Sequence, residues 1–559
     1  MSDRPDEPGP QHLQPATPAG GEVLDSRGEQ WSVLPTDAAT KHRRRWPIAV
    51  GVAAGLVVAG TGLALGMSLS GGGTQPEELV PAGAAFYADI DFDPGADQKV
   101  NLLRLLNKFP AVQDQLGGRD DLKQYLVDEY LSGTPLADGD IGAWAGDRAG
   151  VALIPSPNST NSPNSMGIPM PTGSFVFLLQ VTDEDAARSA LSGVVDDNQL
   201  AFDQGYAVIT QSLGMTGGQP TARDVVAAAD KQSLADDPHF TSAMAPLGSG
   251  LASMYVDPSA MAAVMGPLGA MGAFGMPGSM MGLGSGSTSG QTALVVRAEP
   301  TAIEVVGSST NVPSSVHYTP TNLFSTLPDD TAAAVAVGGA GSAIGETWAN
   351  FREQMQALGN VYGGGIESLG GGTMMQPTSL RQTTSDFDRE VAKFEAKYKV
   401  QLPEDLVTIA GDDLVIAASG EGLVSGAPGI GLRSVTDPAK AADLASRLQP
   451  VIDRYTAGYG VTVKPLSDGL VIASSPQYAD KLGSAGGHLM DDPRVADALP
   501  DANGAGAIGW VDFDTLSDVI GLEDPSSRPY LDPLAGLGMT VSQSGDTLSL
   551  RMRLTFDAE

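Results

Sequence analysis

The chain has 559 residues, a formal net charge of −34 and no cysteine. Length allows two to four domains. The acidic excess disfavours nucleic acid and anionic surfaces as partners of the chain as a whole. The missing cysteine excludes structural disulfides, thiolate metal sites and cysteine nucleophiles.

Residues 1–46 are rich in Pro, Gly, Asp and Glu and poor in large apolar side chains, so they read as a disordered tail. Residues 47–69 follow, with an uncharged run from Ile48 to Leu69. As a helix that run spans about 33 Å, enough for a bilayer core. Lys41, Arg43, Arg44 and Arg45 precede it, and Glu77 and Glu78 come after. This asymmetry predicts a cytoplasmic N-terminus, one transmembrane helix and an exported C-terminal part, hence a cell-membrane location. The leader and apolar run are long for a cleaved signal peptide, which points to an uncleaved anchor. Gly51-x-x-x-Gly55 and Gly62-x-x-x-Gly66 would let two such helices approach as a homodimer.

Residues 70–78 form a linker. Phe86, Ala88, Ile90 and Phe92 then alternate with Tyr87, Asp89, Asp91 and Asp93, the pattern of a half-buried strand. Leu102, Leu105, Leu106 and Phe109 share one helical face. Asp121 to Leu131 reads as a further helix. Apolar runs at Ala149–Ile154, Phe175–Val181, Tyr206–Thr210 and Leu251–Val256 read as strands. Residues 266–290 are a Met- and Gly-rich insert, and Thr292–Ala298 with Ala302–Ser308 read as a hairpin.

The programme then restarts. Ala145-Gly146-Asp147 recurs as Ala410-Gly411-Asp412, and Val181-Thr182-Asp183 as Val435-Thr436-Asp437. Gly205-Tyr206-Ala207-Val208-Ile209 recurs as Gly469-Leu470-Val471-Ile472, Asp236-Asp237-Pro238 as Asp491-Asp492-Pro493, and Val256-Asp257 as Val511-Asp512. The order never breaks. The expectation is a tandem duplication, 79–312 and 323–559, joined by a linker at 313–322. The fold class is α+β: two largely antiparallel sheet-plus-helix halves after a single transmembrane helix.

Each chemistry-bearing residue type also has a plainer role. Asp89, Asp91 and Asp93 share a strand face about 7 Å apart and could hold a divalent cation. A solvated strand face explains them as well. The Asp-Asp-Pro pairs, Asp257 and Asp512 precede helices and suit N-caps better than acid–base catalysis. Gly339-x-Gly341-x-x-x-Gly345 is a weak nucleotide-loop pattern. Met261, Met265, Met271, Met276, Met280 and Met281 could offer soft ligands or an apolar contact surface. His239, His317 and His488 are scattered. No catalytic, cofactor-binding or metal-binding residue is assigned, and no cofactor is implied.

The chain resembles an actinobacterial family of membrane-anchored proteins classed as a domain of unknown function. The resemblance rests on Leu79-Val80-Pro81, Phe86-Tyr87-Ala88-Asp89-Ile90-Asp91, Gln98-Lys99, Lys108-Phe109-Pro110 and Trp144-Ala145-Gly146-Asp147-Arg148. It implies architecture and location, with no substrate, cofactor or catalytic residue. The resulting expectation is a non-enzymatic membrane-anchored cell-envelope protein that binds or scaffolds an envelope protein or lipid. A carboxylate-dependent envelope hydrolase and a carrier of a lipid or other apolar ligand are the competing readings.

Overall fold

The computed structural model describes residues 73–92, 94–109, 141–156, 173–213, 220–264, 290–312, 317–349, 352, 389–423, 428–455, 460–484, 486–523 and 525–557. The N-terminal tail, the apolar run, the helix expected at Asp121–Leu131 and the insert up to residue 289 lie outside them.

Eight strands come from the first half: β1 Phe86–Asp91, β2 Ala145–Pro155, β3 Gly173–Val181, β4 Leu200–Asp203, β5 Tyr206–Ser212, β6 Ala252–Val256, β7 Thr292–Ala298 and β8 Ala302–Ser309. The second half supplies β9 Thr331–Gly338, β10 Asp413–Ser419, β11 Ile430–Val435, β12 Thr462–Pro465, β13 Gly469–Ala473, β14 Ala507–Asp512, β15 Leu534–Ser544 and β16 Thr547–Phe556. All sixteen join in one sheet, ordered β12-β13-β11-β10-β9-β14-β15-β16-β8-β7-β6-β1-β2-β3-β5-β4. Every pairing is antiparallel. Read inwards from either rim, the two halves place their strands in the same order.

The expected fold class is corrected to one continuous sheet: the halves, whose arrangement the sequence left open, are joined because β8 and β16 pair along their length from Ser309↔Leu548 to Ala302↔Thr555. Each would otherwise end its half with a row of open N–H and C=O groups, and pairing satisfies both rows. Among the described residues no helix is long and apolar enough to cross a membrane, so the transmembrane helix of the expected class finds no support. Residues 47–69, where it was placed, are not among those described.

Among the described residues, the longer helices of the first half are α1 Ala96–Leu106, α2 Glu184–Leu191, α3 Ala222–Ala229, α4 Pro238–Met244 and α5, residues 258–264. Those of the second are α6 (340–349), α7 (389–398), α8 Glu404–Ala410, α9 Pro438–Tyr455, α10 Pro476–Gly483, α11 Pro493–Ala498 and α12 Phe513–Glu523, with a single turn at Arg528–Leu531. Local chemistry sets their starts. Asp183 accepts from Ala186 N at α2, and Thr221 and Asp224 form a reciprocal capping box at α3.

One face of the sheet carries two large cores. Tyr87, Val176, Leu178, Val208, Phe240 and Tyr255 belong to the first. Val415, Val471, Tyr478, Val495, Ile508 and Trp510 belong to the second. Between the two cores, at the seam, lies a charged knot. Glu304 on β8 is 2% exposed and meets Arg297 Nε of β7 at 2.7 Å. It also meets Arg553 of β16 at 3.1 Å and Arg551 at 3.5 Å. Arg553 continues to Asp497 of α11 at 3.0 Å, and Arg551 to Asp501 at 3.0 Å. The arginines hold the Glu304 carboxyl below its usual range against the opposing effect of burial.

On the opposite face α1 covers the seam. Leu102, Leu105, Leu106 and Phe109 pack with Ala298 and with Phe556 of β16. The rings of Phe109 and Phe556 meet edge to face with centroids 5.7 Å apart. The halves are therefore locked on both faces. The rims of the sheet are the four-residue strands β4 and β12, and β12 ends in Lys464-Pro465, which discourages further pairing.

Candidate functional site

Among the described residues, the densest group of perturbed polar side chains surrounds β1. The strand places Tyr87, Asp89 and Asp91 on one face. Asp89 stands between Ser253 of β6 and Gly150 of β2. A 3-10 turn, Pro76–Leu79, lies across them. A Cβ at Gly150 would come within 2.9 Å of Pro76 Cβ, so glycine lets the turn sit this close.

The turn and the preceding residues are bolted down by tyrosines. Tyr87 OH donates to Glu77 Oε2 at 2.9 Å, and Tyr206 OH donates to the Thr74 carbonyl at 2.9 Å. Beneath them Arg148 Nε donates to Asp91 Oδ2 at 3.1 Å, with Arg148 5% exposed. The Ser253 hydroxyl donates to Asp89 Oδ1.

Burial dominates the electrostatics. It lifts Asp89 to about 7, with Glu77 and Asp91 adding repulsion and the Ser253 and Tyr87 hydrogen bonds opposing. It also raises Glu77, against backbone and Tyr87 hydrogen bonds, and Asp91, against Arg148. Asp89 can thus hold or release a proton near neutrality, the property a general acid needs. Its carboxyl accepts from the Ser253 hydroxyl. Among the described residues no group of three His, Asp or Glu side chains is arranged to hold a metal ion.

The sequence singled out Asp89 and Asp91 but read their strand face as solvated. It is covered: Tyr87 is fully buried and Asp91 is bound by Arg148. Asp93 lies outside the described residues. Glu77, Arg148, Ser253 and Tyr206 belong to no sequence motif, because sheet pairing brings them together from distant positions. Glu304 was missed too, although a lone acid inside the apolar run Ala302–Ser308 was a visible signal.

The remaining candidates resolve into structural roles. Asp237 accepts from His239 N at 2.9 Å, and Asp492 from Arg494 N at 2.8 Å. Asp257 accepts from Ser259 N at 2.8 Å, and Asp512 from Asp514 N at 3.1 Å. All four cap helices. At the Gly-rich stretch, Gly339 N donates to the Asp412 carbonyl and Gly341 N to the Gly411 carbonyl, each at 2.7 Å. Those two amides are therefore not presented to a phosphate. A Cβ at Gly341 would lie 2.6 Å from the Gly411 oxygen, so close packing explains that glycine. Met261 is 3% exposed in a core with Phe86, Val151 and Phe177. Met265, Met271, Met276, Met280 and Met281 lie outside the described residues. His488 makes a local contact with Asp491 at 2.8 Å.

One surface differs sharply between the halves. In the first, the cross-strand neighbours Ala88 and Val151 face α5, and Val151 is 1% exposed beneath Met261 and Val264. The matching pair in the second half is Val335 and Ile416. These are 49% and 48% exposed, and Ile430 on the next strand is 50% exposed. A stripe of large apolar side chains thus lies open across β9, β10 and β11.

No family model matches the chain, and no curated protein matches it. One solved structure, titled crystal form I of TP0453, is 8% identical with a TM-score of 0.21, covering 44% of this chain and 83% of that one. Similarity that low carries no argument about fold or function.

Proposed function

We propose that this chain is a non-enzymatic protein of the cell envelope that binds or scaffolds a partner at the outer face of the membrane. The open stripe of Val335, Ile416 and Ile430 is the observation that carries this reading. Contiguous apolar surface costs solubility and marks contact sites on otherwise polar proteins. The same sheet face in the first half is closed by the chain's own α5, so the fold tolerates a cover there.

The test is native mass spectrometry of the full-length protein extracted gently from its membrane, beside Ile416→Lys. A stoichiometric protein or lipid adduct on the wild type that the variant lacks supports the reading and names the partner class. A bare wild-type monomer overturns it, and an adduct kept by the variant removes the stripe from the contact.

The Asp89 cluster favours a second reading, a carboxylate-dependent envelope hydrolase, because a carboxyl near 7 beside Glu77 has the acidity of a catalytic acid. Turnover of an envelope polymer that Asp89→Asn abolishes, with the fold intact, would establish it.

A further inference from the structure

The two halves carry the same turn ahead of the same strand but fill it with opposite chemistry. The turn Pro76–Leu79 precedes β1 as the turn Leu323–Thr326 precedes β9. In the register that matches Ala88 to Val335, Phe324 stands where Glu77 does, Ala336 where Asp89 does and Ile508 where Ser253 does. Phe324, Ala336 and Ile508 are at most 2% exposed and belong to the core of the second half. The fold therefore needs no acid at either position. The first half instead places Glu77 and Asp89 close enough to repel each other.

The hold on the turn differs accordingly. Among residues 73–78 only Pro76 is buried, and it lies against Gly150. The rest of the hold is polar: Tyr87 OH on Glu77, Tyr206 OH on the Thr74 carbonyl, and the Thr74 hydroxyl on Gln204 Oε1 at 3.3 Å. The chain behind is fixed, because Leu79 and Val80 lie in the core and Pro81 pairs with Ser233. Residues 73–78 can thus lift off, hinging at Leu79, without disturbing β1.

We propose that residues 73–78 are a pH-governed strap, docked over β1 while Asp89 is protonated and released when it ionises. Ionisation adds a negative charge between Glu77 and Asp91, and lifting the strap removes Glu77 and hydrates Asp89 more fully. The other charged and titratable groups around it are Glu78 of the turn, Tyr87 of β1, Asp147 and Arg148 of β2, Tyr206 of β5 and Lys99 of α1. Both cations act on Asp91, whereas Asp89 meets its two acidic neighbours. Burial raises the docked carboxyl from 3.8 to about 7, and release returns it towards its ordinary value. Acid therefore favours docking, and release grows as pH rises towards 7 and levels off above it. The freed stretch adds roughly 20 Å of slack between the sheet and the chain before residue 73. The open stripe on β9–β11 has no part in this device.

The test is hydrogen exchange of the full-length protein between pH 5 and 8, read by mass spectrometry on a fragment spanning residues 74–79, beside Asp89→Asn. The Gln75 and Glu78 amides, which bond within the turn, report release. Comparing the two proteins at equal pH cancels the intrinsic pH dependence of exchange. The ratio of wild-type to variant exchange should climb by up to about tenfold per pH unit as far as 7 and then stay level. The fragment should also exchange faster than strand β3, which marks the opening as local. A ratio that does not change with pH overturns the proposal. So does exchange no faster than that of β3, because the turn would then open only with the whole sheet. Should Asp89→Asn not fold, the wild type decides alone: protection over residues 74–79 that stays constant from pH 5 to 7 overturns the strap.

Discussion

Asp89→Asn should make the protein more stable at neutral pH and leave it unchanged in acid. Burial raises the Asp89 carboxyl from 3.8 to about 7 in the folded chain. Below about 4 both folded and unfolded chains keep the proton, so the residue is neutral in its effect. As pH rises from there towards 7, the unfolded chain ionises while the folded chain does not. Stability then falls by about 1.4 kcal/mol per pH unit and levels off above 7. The full span is on the order of 4 kcal/mol. Asp89 is partly exposed by area although protein encloses it, and that residual solvent contact lowers the expected cost to about 2–3 kcal/mol. The amide of Asn keeps an oxygen for the Ser253 hydroxyl and removes the ionisation. Urea unfolding of wild type and variant between pH 4 and 8 measures the difference. The variant's advantage should open through this window and then stay level. A variant that is less stable by the same amount at every pH would refute the reasoning and make Asp89 a hydrogen-bonding residue whose charge costs nothing.

Glu304→Gln should destabilise the protein by about 3–5 kcal/mol at neutral pH, because it leaves the arginines at the seam without their buried counter-charge. The Glu304 carboxyl lies below its usual range, so this stabilisation holds above the unfolded value near 4.5 and fades as pH falls through the folded one. Unfolding midpoints of wild type and variant should therefore converge in acid. Asp237→Ala and Asp492→Ala should each cost about 1 kcal/mol through loss of the helix cap, measured by thermal unfolding. Each has a second partner, Gly83 N at 3.0 Å for Asp237 and the Arg494 guanidinium at 2.9 Å for Asp492, so the two losses should be similar.

Much of the local structure was legible because it is written in neighbouring residues. The alternation at Phe86–Asp91 marks a strand, and Asp-Asp-Pro marks a capped helix start in both halves. What alternation could not show was the far face of that strand. Tyr87 lies in a core built from β3, β5 and β6, and Asp89 is roofed by a turn ten residues upstream. The union of the halves was equally silent. Nothing near Ser309 says that its partner is Leu548. The charged knot follows the same rule: Arg297 and Glu304 flank one hairpin and could be paired by eye, whereas Arg551 and Arg553 reach Glu304 only through the β8–β16 pairing.

That pairing has a consequence for biosynthesis. Residues emerge from the ribosome in order, so β8 is finished at Ser309 while β16, its neighbour, begins only at Thr547. Throughout synthesis of the second half, the nascent first half carries a bare eight-residue rim and an α1 still lacking Phe556. Contacts so distant in sequence form late and slowly. Until β16 arrives, the open rim of β8 can pair with the identical rim of a neighbouring chain, and the ten-residue strand β16 is the step that closes it.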